Sequence, residues 1–165
     1  MLFHNGVQAA QKRFADVERA HRIAEMMGDV STLDPEQQAF LESLPFFFLA
    51  TADGRGNIQC NFKGGGPGVI EVVDSRTICY PEYGGNDLML SLGNMLIHPY
   101  IGVLALSFDP PRRLKLSGRA EIVSPEEYRG RLAVEGVRVF VRIHLTQVIR
   151  NCSRRIPRLE TVKNN

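Results

Sequence analysis

The sequence predicts a mainly β, α+β fold: a closed or nearly closed barrel of at least six antiparallel strands, with N-terminal helices and one helix between strands. Three observations lead there. After Pro45 the texture changes to short aromatic and β-branched runs separated by Gly, Pro and Asp turns. Residues 113–122 alternate almost without a break, Arg113, Lys115, Ser117, Arg119 and Glu121 against Leu114, Leu116, Gly118, Ala120 and Ile122. One face of that strand is therefore core and the other is wet or faces a ligand. Between two strands, Leu88, Met89, Leu92, Met95 and Leu96 recur at helical spacing before His98 and Pro99.

In chain order, Val7, Ala10, Phe14, Val17 and Ile23 predict one amphipathic helix over about 7–27, stopped by Gly28. A second, short helix has Asp34 as N-cap, Pro35 at the first helical position and Gln37 three residues after the cap, and ends near Leu44 and Pro45. Residues 46–51 form a buried strand, and 53–57 turn it into a strand over 58–63. Strands over 69–73 and 77–80 are joined at Asp74, Ser75 and Arg76. The helix over 86–97 follows, then strands over 100–108, 112–123 and 137–149. No repeat or linker interrupts the chain, so one domain suffices, a helical segment (1–45) packing on the barrel (46–165).

Composition narrows the function classes. With 165 residues, 44% hydrophobic and 23% charged, the chain can bury a real core. Twenty basic residues against 18 acidic ones leave a net charge of +2, too balanced for a protein that coats nucleic acid. No apolar run approaches the roughly 20 residues that cross a bilayer, and the N-terminus lacks the order of a secretory signal. A soluble, cytoplasmic protein with neither nucleic-acid nor membrane partners is expected. Cys60, Cys79 and Cys152 are scattered and odd in number, which leaves no disulfide framework or CxxC site and predicts buried free thiols.

Two glycine-rich segments can carry chemistry. In Asn61-Phe62-Lys63-Gly64-Gly65-Gly66-Pro67-Gly68 a polar strand end runs into a turn whose amides can approach an anion, with Lys63 as counter-charge. A plain hairpin loop with a solvated lysine fits the same residues. In Tyr80-Pro81-Glu82-Tyr83-Gly84-Gly85-Asn86-Asp87 a strand leads to a helix start, where free N–H groups can take a phosphate. A Gly-Gly turn with Asn86 as N-cap fits equally, and Asp87 would repel a phosphate in direct contact. His4, His21, His98 and His144 form no metal or hydrolase pattern, no HExxH or GxSxG occurs, and no paired carboxylates stand out. A chain without an evident acid, base or nucleophile points to borrowed chemistry, a bound cofactor.

The order of these pieces resembles the pyridoxamine 5′-phosphate oxidase-like group of FMN-binding split β-barrels. The resemblance covers about residues 46–122: the strand at 47–52, Asn61-Phe62-Lys63-Gly64, Gly66-Pro67-Gly68, Tyr80-Pro81-Glu82-Tyr83-Gly84-Gly85-Asn86, Ser91-Leu92-Gly93-Asn94 with Pro99, and Arg113-Leu114-Lys115-Leu116-Ser117-Gly118-Arg119-Ala120. Phe3-His4 and Asn151-Cys152-Ser153-Arg154-Arg155-Ile156-Pro157 flank it. It implies a homodimer with FMN between subunits. Asn61, Phe62, Lys63 and Gly64 would line the ring and phosphate side, together with Tyr80 and Pro81. Asn86 and Asp87 stand where coenzyme-making members carry a basic pair, Ser91 and Asn94 would secure the helix near the phosphate, and Arg113 would reach the flavin from the partner chain.

The chain also departs from that group. It has no tryptophan, and in its C-terminal part only Arg142-Ile143-His144 supplies the substrate-reading Arg-x-His. The expected function is an FMN-dependent oxidoreductase whose substrate is not pyridoxamine phosphate, with NAD(P)H or a small molecule as partner. A flavin- or haem-binding protein without turnover is the alternative, and a cofactor-free interaction module using Arg150, Arg154, Arg155 and Arg158 is a third reading.

Overall fold

The structure is a computed structural model that describes residues 3–26 and 31–159. The chain divides into two compact units, 1–30 and 31–165. The first unit holds two helices, α1 (Asn5–Phe14) and α2 (Val17–Met26), where one was expected. The break has a local cause: Ala15 is extended, and the Asp16 carboxylate accepts a hydrogen bond from the Arg19 amide at 3.0 Å, starting a new helix. Gly28, the expected stop, lies outside the described residues.

The second unit begins with α3 (Pro35–Ser43), whose capping box is complete. Asp34 accepts from the Gln37 amide at 2.8 Å, and the Gln37 side chain accepts from the Asp34 amide at 3.0 Å. Seven strands follow: β1 (Phe46–Ala52), β2 (Ile58–Gly64), β3 (Glu71–Asp74), β4 (Thr77–Tyr83), β5 (Tyr100–Phe108), β6 (Pro111–Val123) and β7 (Val137–Arg150), with α4 (Leu90–Ile97) between β4 and β5. They form one antiparallel sheet in the order β2-β1-β5-β6-β7-β4-β3, the split β-barrel. The β1–β2 turn is pinned by Asp53, whose carboxylate accepts from the Arg55 and Asn57 amides and the Asn57 side chain at 2.8–2.9 Å. Those bonds, the Asn57 side chain first, lower its pKa.

Period-2 alternation divides the sheet into an inner and an outer face. Phe47, Leu49, Val103, Ala105, Leu114, Leu116, Ile143 and Tyr80 are buried in the inner core. The outer face of β1, β2 and β5 is also apolar but uncovered, with Ile58, Phe62 and Tyr100 exposed and Phe46, Phe48 and Leu104 half-buried. At Gly118 the β6–β7 register shifts, and a Cβ there would meet the His144 carbonyl oxygen at 2.5 Å, so the two backbones come together only over glycine.

Of the three cysteines only Cys79 is buried, whereas Cys60 and Cys152 are exposed. The expectation of buried thiols fails at Cys60 because its side chain belongs to β2, a strand at the edge of the sheet. Among the described residues no helix is long and apolar enough to cross a membrane.

Candidate functional site

The sheet has two edges, β2 and β3, and the split lies where β2 faces β4 without backbone pairing. Side chains bridge it. Asn61 and Lys63 pair in register with Leu49 and Phe47, two buried core residues, and so share the inner face. Lys63 Nζ donates to both carboxylate oxygens of Glu82 on β4 at 2.6 Å, and the two side chains are only 15% and 16% exposed. Asn61 Nδ2 donates to Ser91 Oγ at 3.1 Å, and Asn94 Nδ2 donates to Thr51 Oγ1 at 2.9 Å, strapping α4 to the β1–β2 hairpin.

Over this bridge lies a cavity of about 170 Å³ lined by Asn61, Lys63, Glu82, Asn86, Asp87 and Ser91. The first turn of α4 closes its other side. No side chain caps that helix, because Met89 stands at the N-cap with φ 49°. The first helical bond runs from the Gly93 amide to the Met89 carbonyl, so the amides of Leu90, Ser91 and Leu92 lack helical partners beside the cavity.

The expected helix over 86–97 thus begins four residues late, and Asn86 is not its cap. The reason is backbone conformation: Asp87 (φ 59°) and Met89 are left-handed, and the Asn86 side chain instead accepts from the Leu88 amide at 3.2 Å. Asp87 is held at the rim by Arg138 at 2.8 Å.

Asn61, Lys63, Asn86, Asp87 and Ser91 therefore come together, with Asn94 one turn along α4. Phe62, Gly64, Tyr80, Pro81 and Arg113 do not line the cavity. Phe62 points to the outer face, 63% exposed and stacked on Phe46 with centroids 5.3 Å apart. Gly64 ends β2 beside the Phe62 ring, and Pro81 is buried. Tyr80 packs edge-on against Phe47, its hydroxyl buried without a hydrogen-bond partner, and burial pushes that phenol well above its ordinary range. Arg113 lines a separate cavity with Asn151, and its Nε and Asn151 Oδ1 are both buried and unpartnered.

The residue that sequence reasoning missed is Glu82. It stood inside the quoted Tyr80–Asp87 segment, and strand alternation puts it on the same face as Tyr80. That position was the available signal.

Two other sequence candidates have found partners elsewhere. His144 Nε2 lies 3.0 Å and Arg142 Nη1 3.2 Å from Glu121 Oε2, away from the cavity; these contacts, His144 first, lower the Glu121 pKa. Arg150 pairs with Asp34 and Glu36, and Arg158 with Asp109, which neutralises part of the basic segment. Among the described residues no cluster of His, Cys, Asp and Glu is placed to hold a metal ion.

Compared with known proteins, residues 33–160 match the sequence pattern of the pyridoxamine 5′-phosphate oxidase family. The chain belongs to that family. No curated protein matches it in sequence. Among solved structures, the fold is similar to a Lactobacillus delbrueckii protein provisionally named a pyridoxamine 5′-phosphate oxidase, at 18% identity and TM-score 0.58 over 74% of this chain and 97% of that one. It is also similar to HupZ from Group A Streptococcus, at 17% identity and TM-score 0.54 over 72% and 93%. A third likeness is to an F420 reductase, at 20% identity and TM-score 0.51 over 71% and 98%. At these identities the likenesses show the fold. The cavity at the split is lined by residues of the two glycine-rich segments and of the first turn of α4, all within the matched residues.

Proposed function

We propose that this chain is an FMN-binding oxidoreductase of the pyridoxamine 5′-phosphate oxidase type, acting on a substrate other than pyridoxamine phosphate. The observation that carries the reading is the cavity at the barrel split, where one lysine and the uncapped first turn of α4 converge. The donor set fits a phosphate: an ammonium, two side-chain amides, a hydroxyl and free backbone N–H groups at a helix N-terminus. Lys63 and the α4 amides would hold the phosphate, and Asn61 and Ser91 would fix the spacing between them. Against pyridoxamine phosphate stands the engagement of Arg142 and His144 with Glu121, outside the cavity.

A cavity of about 170 Å³ is smaller than the ~300 Å³ at which pockets begin to enclose a whole drug-sized ligand. It holds the anionic end, and the ring system must lie outside it. A second copy of the chain, seated on the exposed apolar face of β1, β2 and β5, would provide the missing wall. Arg113, whose Nε is buried without a partner among the described residues, would reach the flavin from that copy. The bound flavin supplies hydride transfer at its N5 position, with NAD(P)H or a small molecule as the other partner. This chain's residues would bind, orient and exclude water, Lys63 placing its positive charge at the phosphate and Arg113 placing its own beside the ring.

Among the described residues the paired Lys63 and Glu82 are the only half-buried acid and base at the cavity, which also suits a flavin- or haem-binding protein without turnover. The visible spectrum of purified protein, FMN titration followed by flavin fluorescence, and reduction by NAD(P)H with a panel of acceptors test both. Yellow protein releasing FMN, a Lys63→Ala variant weakened at least about tenfold and turnover with an acceptor support the oxidoreductase. Binding without turnover supports the carrier, a haem spectrum moves the assignment to haem, and no chromophore with no FMN binding overturns the flavin reading.

A further inference from the structure

The cavity supplies its own anion to the lysine. The cation needed for a phosphate is already spoken for, since both Glu82 oxygens lie 2.6 Å from Lys63 Nζ. The second carboxylate on the lining, Asp87, is paired with Arg138. The pocket is therefore electrically balanced as it stands, and a phosphate entering beside an intact Lys63–Glu82 pair would meet a carboxylate in a site largely closed to screening water.

We propose that Glu82 is the internal counter-anion of this site, occupying Lys63 in the free protein and giving it up when the anionic end of the flavin enters. The inference rests on the flavin reading and extends it to selectivity. A bare anion such as inorganic phosphate must displace Glu82 using its own contacts with Lys63 and the α4 amides alone. FMN brings the binding energy of its ring and ribityl chain to the same exchange, so the pair discriminates against small anions while admitting the nucleotide. The geometry permits the exchange. Glu82 sits at the last inward position of β4 and itself lines the cavity, so its carboxylate already borders open volume into which it can swing off Lys63.

The test compares FMN with riboflavin, which lacks the phosphate, on wild type, Glu82→Gln, Lys63→Met and the Lys63→Met/Glu82→Gln double variant. Affinities are read by flavin fluorescence, inorganic phosphate serves as competitor, and thermal melts verify folding. Freed of its counter-anion, Lys63 in E82Q should bind FMN about tenfold tighter or more while riboflavin affinity stays level, and phosphate should begin to compete at concentrations that leave wild type unaffected. In the double variant the gain should vanish, which ties it to the lysine and not to a loosened strand end. Wild type that binds FMN with E82Q equal or weaker overturns the role of Glu82 and leaves the flavin reading standing. Failure of both wild type and E82Q to bind either flavin overturns the flavin reading and this inference with it. A gain in E82Q that persists in the double variant also overturns it, since the lysine would not be its source.

Discussion

Two carboxylates on neighbouring strands, the buried Glu71 on β3 and the half-buried Glu82 on β4, live in opposite circumstances. Glu71 is 6% exposed and fully engaged: it accepts from the Tyr128 hydroxyl, from the Arg131 amide at 2.8 Å and from Arg131 Nε at 3.3 Å. Tyr128 in turn accepts from the Leu132 amide at 2.9 Å and stacks on Phe140 at 3.7 Å, and Arg131 also reaches Glu42 on α3. The network ties the β6–β7 connection to β3 and α3. Among the described residues Glu82 has one partner, a flexible ammonium, and it faces a cavity. The difference teaches how to tell a structural acid from a functional one in this fold. A carboxylate satisfied from several fixed directions locks a loop, whereas one held by a single exchangeable partner at an opening can be displaced.

The comparison breaks first on stability. Glu71→Gln should cost about 3 kcal/mol, because one partner of a buried charged network is removed and the others stay behind. Glu82→Gln should cost about 1 kcal/mol, since an amide oxygen still accepts from Lys63. Urea denaturation of both variants measures the difference, and equal losses would show that Glu82 is as structural as Glu71.

Gly130 offers the next largest effect on the locked side. A Cβ there would collide with the Tyr128 hydroxyl oxygen and Glu71 Oε2, so Gly130→Ala should cost about 2 kcal/mol by prying the network apart. Flavin affinity should stay within about threefold of wild type, because nothing in that network touches the cavity. A variant as stable as wild type in the same urea titration would mean the network yields without loss.

Alkali should also act on the locked side. Burial, aided by Glu71, pushes the Cys79 thiol up to about 12, and burial with the Glu71 hydrogen bond raises Tyr128 as well. Both groups stay protonated in the folded chain at a pH where the unfolded chain has begun to lose those protons. Their contribution is thus intact below pH 9, the ordinary thiol value, and declines as pH rises toward 12. Between pH 8 and 10 wild type should lose about 1 kcal/mol, and Cys79→Ala should lose less. Identical slopes for the two proteins would remove Cys79 from the account.

Most of the fold was legible in the sequence. Alternation in β6, the Asp53 turn and the Asp34–Gln37 capping box are local signals, and local physics decides them. The misses share a cause. Asp16 splits the first helix because a capping carboxylate outweighs continuous hydrophobic spacing, and the left-handed residues Asp87 and Met89 delay α4 although Met89 has a side chain that normally avoids that region. Lys63 was visible from its glycine-rich setting, but its partner was not. The pair joins β2 to β4 across the split, a closure that depends on the whole strand order and leaves no trace in either segment alone. Cys60 was misjudged for the same reason, as exposure of an outer face is set by which strand ends the sheet.

The smallest expected effect is the sharpest probe of what makes Glu82 special. Asp87 lines the same cavity with the same formal charge, but its side chain is 66% exposed and its partner Arg138 is 53% exposed. Water and salt screen such a pair, so Asp87→Asn should change stability by no more than about 0.5 kcal/mol and FMN affinity by no more than about threefold. If the pocket responded only to total negative charge, Asp87→Asn and Glu82→Gln would tighten FMN equally, and raising ionic strength would erase both gains. If direct occupation of Lys63 matters, the Glu82→Gln gain should survive in high salt once each affinity is referred to riboflavin, because the Lys63–Glu82 contact is 85% or so closed to solvent and riboflavin corrects for salt effects on ring binding. Fluorescence titrations of the two variants at low and high salt separate a local exchange of partners from a diffuse field.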